Sequence, residues 1–287
     1  MRYSYATVAL PTLTPAQAIE ELASAGYQGV EWKVGEPAGR RPGTADYFIY
    51  QNRCTLPLTP DGDQRVRQQC RDAGVDIVGL APYLAIGDIA ALRTAISMAS
   101  AMGAGQVRIQ AARWGQHGDQ HYRQLAAATR EYLAVAQDLA RESGVRVVLE
   151  LHQNTVAPSA SLAGQMVAEF DPRFIGVIYD LGNLVVEGFE DPRIALEVLG
   201  PHLHHVHLKN AAARRSPGDV GPTWEYVWSA LDDGLVDVAG TLGLLRACGY
   251  AGWISLEDLS RTRDPLATLR HNAAVLRALP QAVWPGP

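Results

Sequence analysis

The sequence predicts one α/β domain over residues 1–287, a (β/α)8 barrel. Two observations carry that expectation. Short β-branched runs alternate with longer stretches whose apolar residues recur at three-to-four spacing, through eight of each to the end of the chain. Helix-to-strand turns are two to five residues long, whereas two strand-to-helix loops, Gly35 to Pro60 and Asn210 to Asp237, are extended. Crossovers of helix length demand parallel pairing with right-handed connections. Eight such units fit a closed barrel better than an open sheet.

Taken in order, the first strand is expected over Tyr3 to Leu10. Thr14 followed by Pro15 reads as an N-cap with proline at the first helical position, opening a helix that runs to Ala25. Gly26 stands where a left-handed stop is wanted. The next strand is Gly29 to Val34. Helices over Asp61 to Ala73, Asp88 to Met102 and Asp119 to Ser143 end at Gly74, Gly103 and Gly144, and lead into strands Asp76 to Leu80, Gln106 to Gln110 and Val145 to Leu151. There follow helix Ser159 to Phe170, strand Ile175 to Tyr179, helix Pro192 to Leu199 and strand His204 to Lys209. Helix Val238 to Cys248, stopped by Gly249, strand Trp253 to Glu257 and helix Asp264 to Leu279 complete the pattern. The phrase Ala25-Gly26-Tyr27-Gln28-Gly29-Val30-Glu31 recurs loosely as Cys248-Gly249-Tyr250-Ala251-Gly252-Trp253-Ile254, two units of one architecture. Both long loops fall on the C-terminal face of such a barrel, where active sites are built.

Composition narrows the class of function. A net charge of −5 is a poor match for a duplex-DNA binder, which neutralises phosphates with clustered Lys and Arg. Cys54, Cys70 and Cys248 are odd in number and in no paired spacing, which argues against a disulfide framework and a zinc ribbon. A reducing, cytoplasmic setting is expected. No signal peptide and no run of about 18 apolar residues is visible, so no membrane span is expected.

The strongest chemical signal is a set of polar residues at the C-terminal ends of the last four strands. Glu150 follows Val147-Val148-Leu149, Asp180 follows Val177-Ile178-Tyr179, His207 lies within His204 to Lys209, and Glu257 follows Trp253-Ile254-Ser255-Leu256. Their gaps are 30, 27 and 50 residues. One βα unit is about 30 residues, so the first two gaps are single units and the third is a unit carrying the Asn210 to Asp237 insertion. Three carboxylates converging on one barrel mouth repel one another unless a positive charge sits among them. One divalent cation removes the difficulty, and this mostly hard oxygen set favours Mn²⁺, Mg²⁺ or Co²⁺, with Zn²⁺ also fitting.

Glu150-Leu151-His152, Tyr179-Asp180-Leu181-Gly182-Asn183, His205-Val206-His207-Leu208-Lys209-Asn210 and Ile254-Ser255-Leu256-Glu257, in this order and spacing, resemble the xylose isomerase-like barrels. That family includes sugar-phosphate isomerases and epimerases, ketose 3-epimerases, inosose dehydratases and the endonuclease IV group. The resemblance covers essentially the whole chain. It implies Glu150, Asp180, His207 and Glu257 as metal ligands, with Mn²⁺ the first expectation, and Glu150 and Glu257 doubling as the catalytic acid/base pair. The implied activity is isomerisation or epimerisation of a small ketose or keto-polyol through a metal-bound enediolate. The alternative is a lyase or dehydratase acting on an oxidised sugar, including a branch that cleaves C-glycosides with a small β-rich partner subunit. A small sugar substrate is implied, with a homo-oligomer or that β-rich subunit as the protein partner. The endonuclease reading needs several metals and more ligands than this one set. A binding protein on an inherited scaffold would take no metal.

The sequence also departs from the family pattern. Asn183 and Asn210 stand where many members have His and Asp, and Val156 stands where the ketose 3-epimerases have a further glutamate. That branch's specific activity is therefore not carried over.

Further candidates come from strand parity. His152, two residues after Glu150, is expected to face the same way and touch substrate. Lys209 shares a face with His205 and His207 and is placed to neutralise developing negative charge. Glu31 and Lys33, ending the second strand, are candidate substrate contacts, the plainer alternative being a buried ion pair. Arg214 and Arg215 are candidate clamps for an anionic or hydroxyl group, and Trp224, Tyr226 and Trp228 candidate stacking platforms in the same loop. Arg113 and Trp114 are expected in the pocket wall, whereas His204 should face away from the site.

Overall fold

The computed structural model describes residues 1–36, 47–115, 121–218 and 220–279. The expected apolar runs pair in parallel as β1 (Arg2–Ala6), β2 (Gly29–Val34), β3 (Asp76–Pro82), β4 (Gln106–Gln110), β5 (Arg146–Glu150), β6 (Ile175–Asp180) and β7 (Leu203–Leu208). An antiparallel pair, β8 (Asn210–Ser216) and β9 (Thr223–Ser229), intervenes before the last barrel strand, β10 (Trp253–Leu256). The order β1-β10-β7-β6-β5-β4-β3-β2 closes on itself, so no barrel strand is left as an edge.

The helices outside the barrel begin and end where the sequence punctuates them. In α1 (Pro15–Ala25) the Thr14 hydroxyl accepts from the Gln17 N–H, while the Gln17 side chain accepts from the Thr14 N–H at 2.9 Å. Gly26 then takes φ 87°, a conformation that L side chains rarely adopt. After α2 (Tyr47–Tyr50), aspartates cap α3 (Gln64–Asp72) and α4 (Ile89–Met102) through their side chains. The long α5 (Tyr122–Ser143) follows His121, so its expected start at Asp119 lies outside the described residues. Ser159 caps α6 (Ala160–Val167), and Asp180 caps the short α7 (Leu181–Val186). α8 (Pro192–Leu199), α9 (Val238–Ala247) and α10 (Pro265–Ala278) each start after a capping aspartate. Among the described residues, no helix is long and apolar enough to cross a membrane.

Three sequence expectations need correction. The first strand ends at Ala6 rather than Leu10, because Thr7–Ala9 turn as a 3₁₀ segment. There Leu10 donates to the Thr7 carbonyl at 3.0 Å, and the Thr7 hydroxyl accepts from the Lys33 N–H at 2.8 Å. An apolar run reads the same whether it continues as strand or folds into a buried turn. The Asn210 to Asp237 loop carries the β8–β9 hairpin, and Leu181 to Val186 forms an unexpected helix directly after β6.

Candidate metal centre

Parallel pairing brings the strand ends to one mouth in register. Asp180 lies opposite His207 across β6 and β7, Gln110 lies opposite Glu150 across β4 and β5, and Glu257 follows β10 directly. Glu150, Asp180, His207 and Glu257 are all buried, and each offers one ligand atom within 4.8 Å of the others. Donors on opposite sides of a cation bound at about 2.2 Å stand about 4.4 Å apart, so the cluster is compact enough for one ion. His207 Nδ1 lies 3.2 Å from Glu150 Oε1 and 3.3 Å from Asp180 Oδ2. Asp180 divides its two oxygens: Oδ1 accepts from the Asn183 N–H at 2.9 Å, capping α7, while Oδ2 faces His207 and Lys209.

Cations surround the cluster. Arg108 pairs closely with Glu150 Oε2, which also accepts from Gln110 at 3.0 Å. Lys209 Nζ lies 2.5 Å from Glu257 and 3.0 Å from Asp180. Gly182 makes this placement possible, since a Cβ there would run into the Lys209 side chain at Cγ. Burial alone would raise the Glu150 carboxyl, but Arg108, with His207 and His152, holds it well below the usual carboxylate range. Burial alone would lower His207, yet Glu31, Asp180 and Glu150 raise it well above the ordinary histidine value. Burial would likewise lower Lys209, and Asp180 and Glu257 together raise it instead. The carboxylates thus draw positive charge into the position between them. Three carboxylate oxygens, one imidazole nitrogen and that demand for charge fit a divalent cation.

The centre opens on a cavity of about 1100 Å³ lined by Lys33, Glu150, His152, Lys209 and Glu257 among others. His152 donates Nδ1–H to the Gln153 carbonyl at 2.7 Å, and burial lowers its pKa. Arg113 lines the cavity, but Trp114 is not among its lining residues. Glu31 is not among them either; its partners are His205 and His207, the buried pairing that was the plainer expectation. Arg214 is exposed on β8 and is not among the lining residues. Trp228, at the barrel end of β9, lines the cavity with its ring 4.9 Å from Lys209 Nζ, while Trp224 and Tyr226, on the same strand face but nearer the hairpin tip, are 63% and 48% exposed. His204 faces away from the centre, as expected, against Arg146.

Sequence reasoning missed several residues that the fold brings in. Arg108 and Gln110 lie on β4, and parity along Gln106-Val107-Arg108-Ile109-Gln110 was the available signal. Tyr83 stacks on Arg108 at 4.4 Å, and Asn183 lines the cavity with a buried Oδ1 that has no hydrogen-bond partner among the described residues.

Known proteins share this sequence pattern and fold. The family model described as "Xylose isomerase-like TIM barrel" matches residues 19–279. An inosose dehydratase of Geobacillus thermodenitrificans is 31% identical over 130 residues, 42% of each chain. One from Lacticaseibacillus casei is 24% identical over 127 residues, again 42% of each. The match therefore spans less than half the length of these relatives. Among solved structures, 3-keto-D-glucoside 4-epimerase from E. coli superposes with TM-score 0.69 at 17% identity, covering 96% of this chain and 99% of that one. A probable 3-DHS dehydratase from Bacillus anthracis gives 0.69 at 16%, with the same coverage. An IolI protein with a bound zinc atom gives 0.68 at 14%, covering 96% and 97%.

Proposed function

Because the chain belongs to the xylose isomerase-like TIM barrel family, we propose that it is a metal-dependent enzyme that takes a proton from the carbon beside the carbonyl of a cyclic keto-polyol and completes the reaction by loss of water. The observation that carries this reading is the four-residue donor cluster with Glu150 and Glu257 at the cavity wall and Lys209 against Glu257. Glu150, Asp180, His207 and Glu257 would hold the ion, Mn²⁺ being first choice for so oxygen-rich a set. The chemistry such an ion supplies when bound is Lewis acidity toward a substrate carbonyl, which acidifies the neighbouring C–H.

The protein's own groups do the rest. Glu257 accepts the proton, and the Lys209 ammonium beside it balances the negative charge that develops on substrate. Arg108 and Gln110 keep Glu150 ionised and fixed on the other side of the cluster. His152 has Nδ1 committed to a backbone carbonyl, leaving Nε2 as the nitrogen that carries a proton to and from the cavity. Removal of the C–H proton with departure of a protonated β-hydroxyl yields an unsaturated ketone and water.

Dehydration is favoured over the expected isomerase outcome by the inosose dehydratases among the relatives. Epimerisation is the second reading, supported by two carboxylates in one site, where the second returns the proton to the opposite face. Incubation with Mn²⁺ and an inosose or a 3-keto-glucoside in D2O, followed by NMR, separates them. Dehydration gives an ultraviolet-absorbing enone; epimerisation gives deuterium in a recovered sugar. Glu257→Gln should lower kcat about 10²- to 10⁴-fold on either path. Absence of both products with every divalent metal tried would overturn the reading.

A further inference from the structure

Glu31 is almost wholly buried on β2, outside the cavity lining, yet it reaches across the barrel interior to β7, from which β1 and β10 separate it. Its Oε2 lies 2.9 Å from His205 Nε2 and 3.1 Å from His207 Nε2, and its Oε1 lies 3.2 Å from His207 Nε2. An ionised carboxylate only accepts hydrogen bonds, so both Nε2 atoms that meet it are donors. With its Nε2–H committed to Glu31, His207 has only Nδ1 left to exchange a proton for a cation. That is the nitrogen aimed at Glu150 Oε1 and Asp180 Oδ2.

We propose that Glu31 is a positioning residue for the metal centre, fixing the ring orientation and tautomer of His207 so that Nδ1 is the ligand atom. The inference rests on the metal-centre reading above. His205 completes the device. Its Nδ1 is buried with no hydrogen-bond partner among the described residues, consistent with one hydrogen on Nε2, and its ring meets His207 edge-on at 5.3 Å, so it braces both Glu31 and the neighbouring ring. Glu31, His205 and His207 also form a compact donor group. Their Nε2 to oxygen separations are those of hydrogen bonds, with the hydrogens filling the space between.

A carboxylate that receives the second N–H of a ligating histidine typically supports metal affinity by about 10- to 100-fold. Glu31→Gln keeps the shape but presents an NH2 group to one of two N–H donors. The test is competition against a chelator for Zn²⁺ and Mn²⁺, comparing the wild-type protein with Glu31→Gln, each checked for folding by circular dichroism. The expected result is one ion per wild-type chain and at least tenfold weaker binding by the variant. ¹⁵N NMR of histidine-labelled, Zn²⁺-loaded wild type needs no variant and should show His207 protonated at Nε2 and bound through Nδ1. The reverse tautomer, equal affinity in the variant, or two ions in wild type falling to one in the variant would overturn the proposal. A wild type that takes up no divalent ion would instead remove the metal-centre reading, and this inference with it.

Discussion

At the residue scale, the centre is a problem of charge without water. Glu150 is as buried as a core leucine, and it keeps its ionised form because Arg108 and Gln110 meet one oxygen while His207 meets the other. Arg108 in turn donates to the Pro82 carbonyl at 3.1 Å and lies under the Tyr83 ring. Removing one partner of a buried pair strands the other, typically at a cost of about 3–5 kcal/mol. Arg108→Leu should therefore lower the unfolding free energy of the chelator-treated protein by about 3 kcal/mol. Added Mn²⁺ should restore part of the loss, because the ion also neutralises Glu150. Urea denaturation in chelator and in Mn²⁺ measures both, and an unchanged midpoint in chelator would refute the argument. Arg108→Lys should not rescue fully, since one ammonium cannot reproduce the guanidinium fork spanning Glu150 and Pro82.

At the scale of elements, Asp180 joins two functions that a single substitution separates. One oxygen caps α7 and the other faces the metal cluster. Asparagine caps helices about as well as aspartate, while alanine loses about 1 kcal/mol there. Asp180→Asn should thus retain more thermal stability than Asp180→Ala, while both lose metal binding; calorimetry beside a metal titration reads the two effects independently. Equal stability of the two variants would show that the cap contributes nothing. This doubling also explains a limit of sequence reading. The helix Leu181 to Val186 is six residues long, too short for periodicity, and its only sequence mark is an aspartate that the metal pattern had already absorbed. The barrel itself was legible because its strands are apolar runs and its helices end at glycines such as Gly26 and Gly144. The hairpin was not, since Ala211 to Ala213 carry no strand propensity and pair with Trp228, Val227 and Tyr226 through backbone contacts that only the fold reveals.

At the scale of the whole molecule, the barrel brings together what the chain holds far apart. Glu31 and His207 are 176 residues apart and in contact, which is why the four strand-end ligands could be picked out by spacing while Glu31 was read as a substrate contact. A strand-end residue announces a barrel mouth; which neighbour it meets across the interior depends on side-chain packing. The same closure makes metal binding a global stability effect. The ligands come from β5, β6, β7 and the end of β10, so unfolding any part of that half of the barrel dismantles the site. An ion that binds only the folded chain stabilises it by RT ln(1 + [L]/Kd), about 2.7 kcal/mol at a free concentration of 100 Kd. Each kcal/mol moves the midpoint of a large domain by about 2 °C or somewhat more, so Mn²⁺ should raise Tm by about 5 °C over chelator-treated protein. The increment should keep growing with the logarithm of Mn²⁺ concentration and vanish in Asp180→Asn. A Tm indifferent to Mn²⁺, Mg²⁺, Co²⁺ and Zn²⁺ alike would mean that the buried carboxylates are neutralised by Arg108, Lys209 and His207 alone, and that the cluster is a structural ion network.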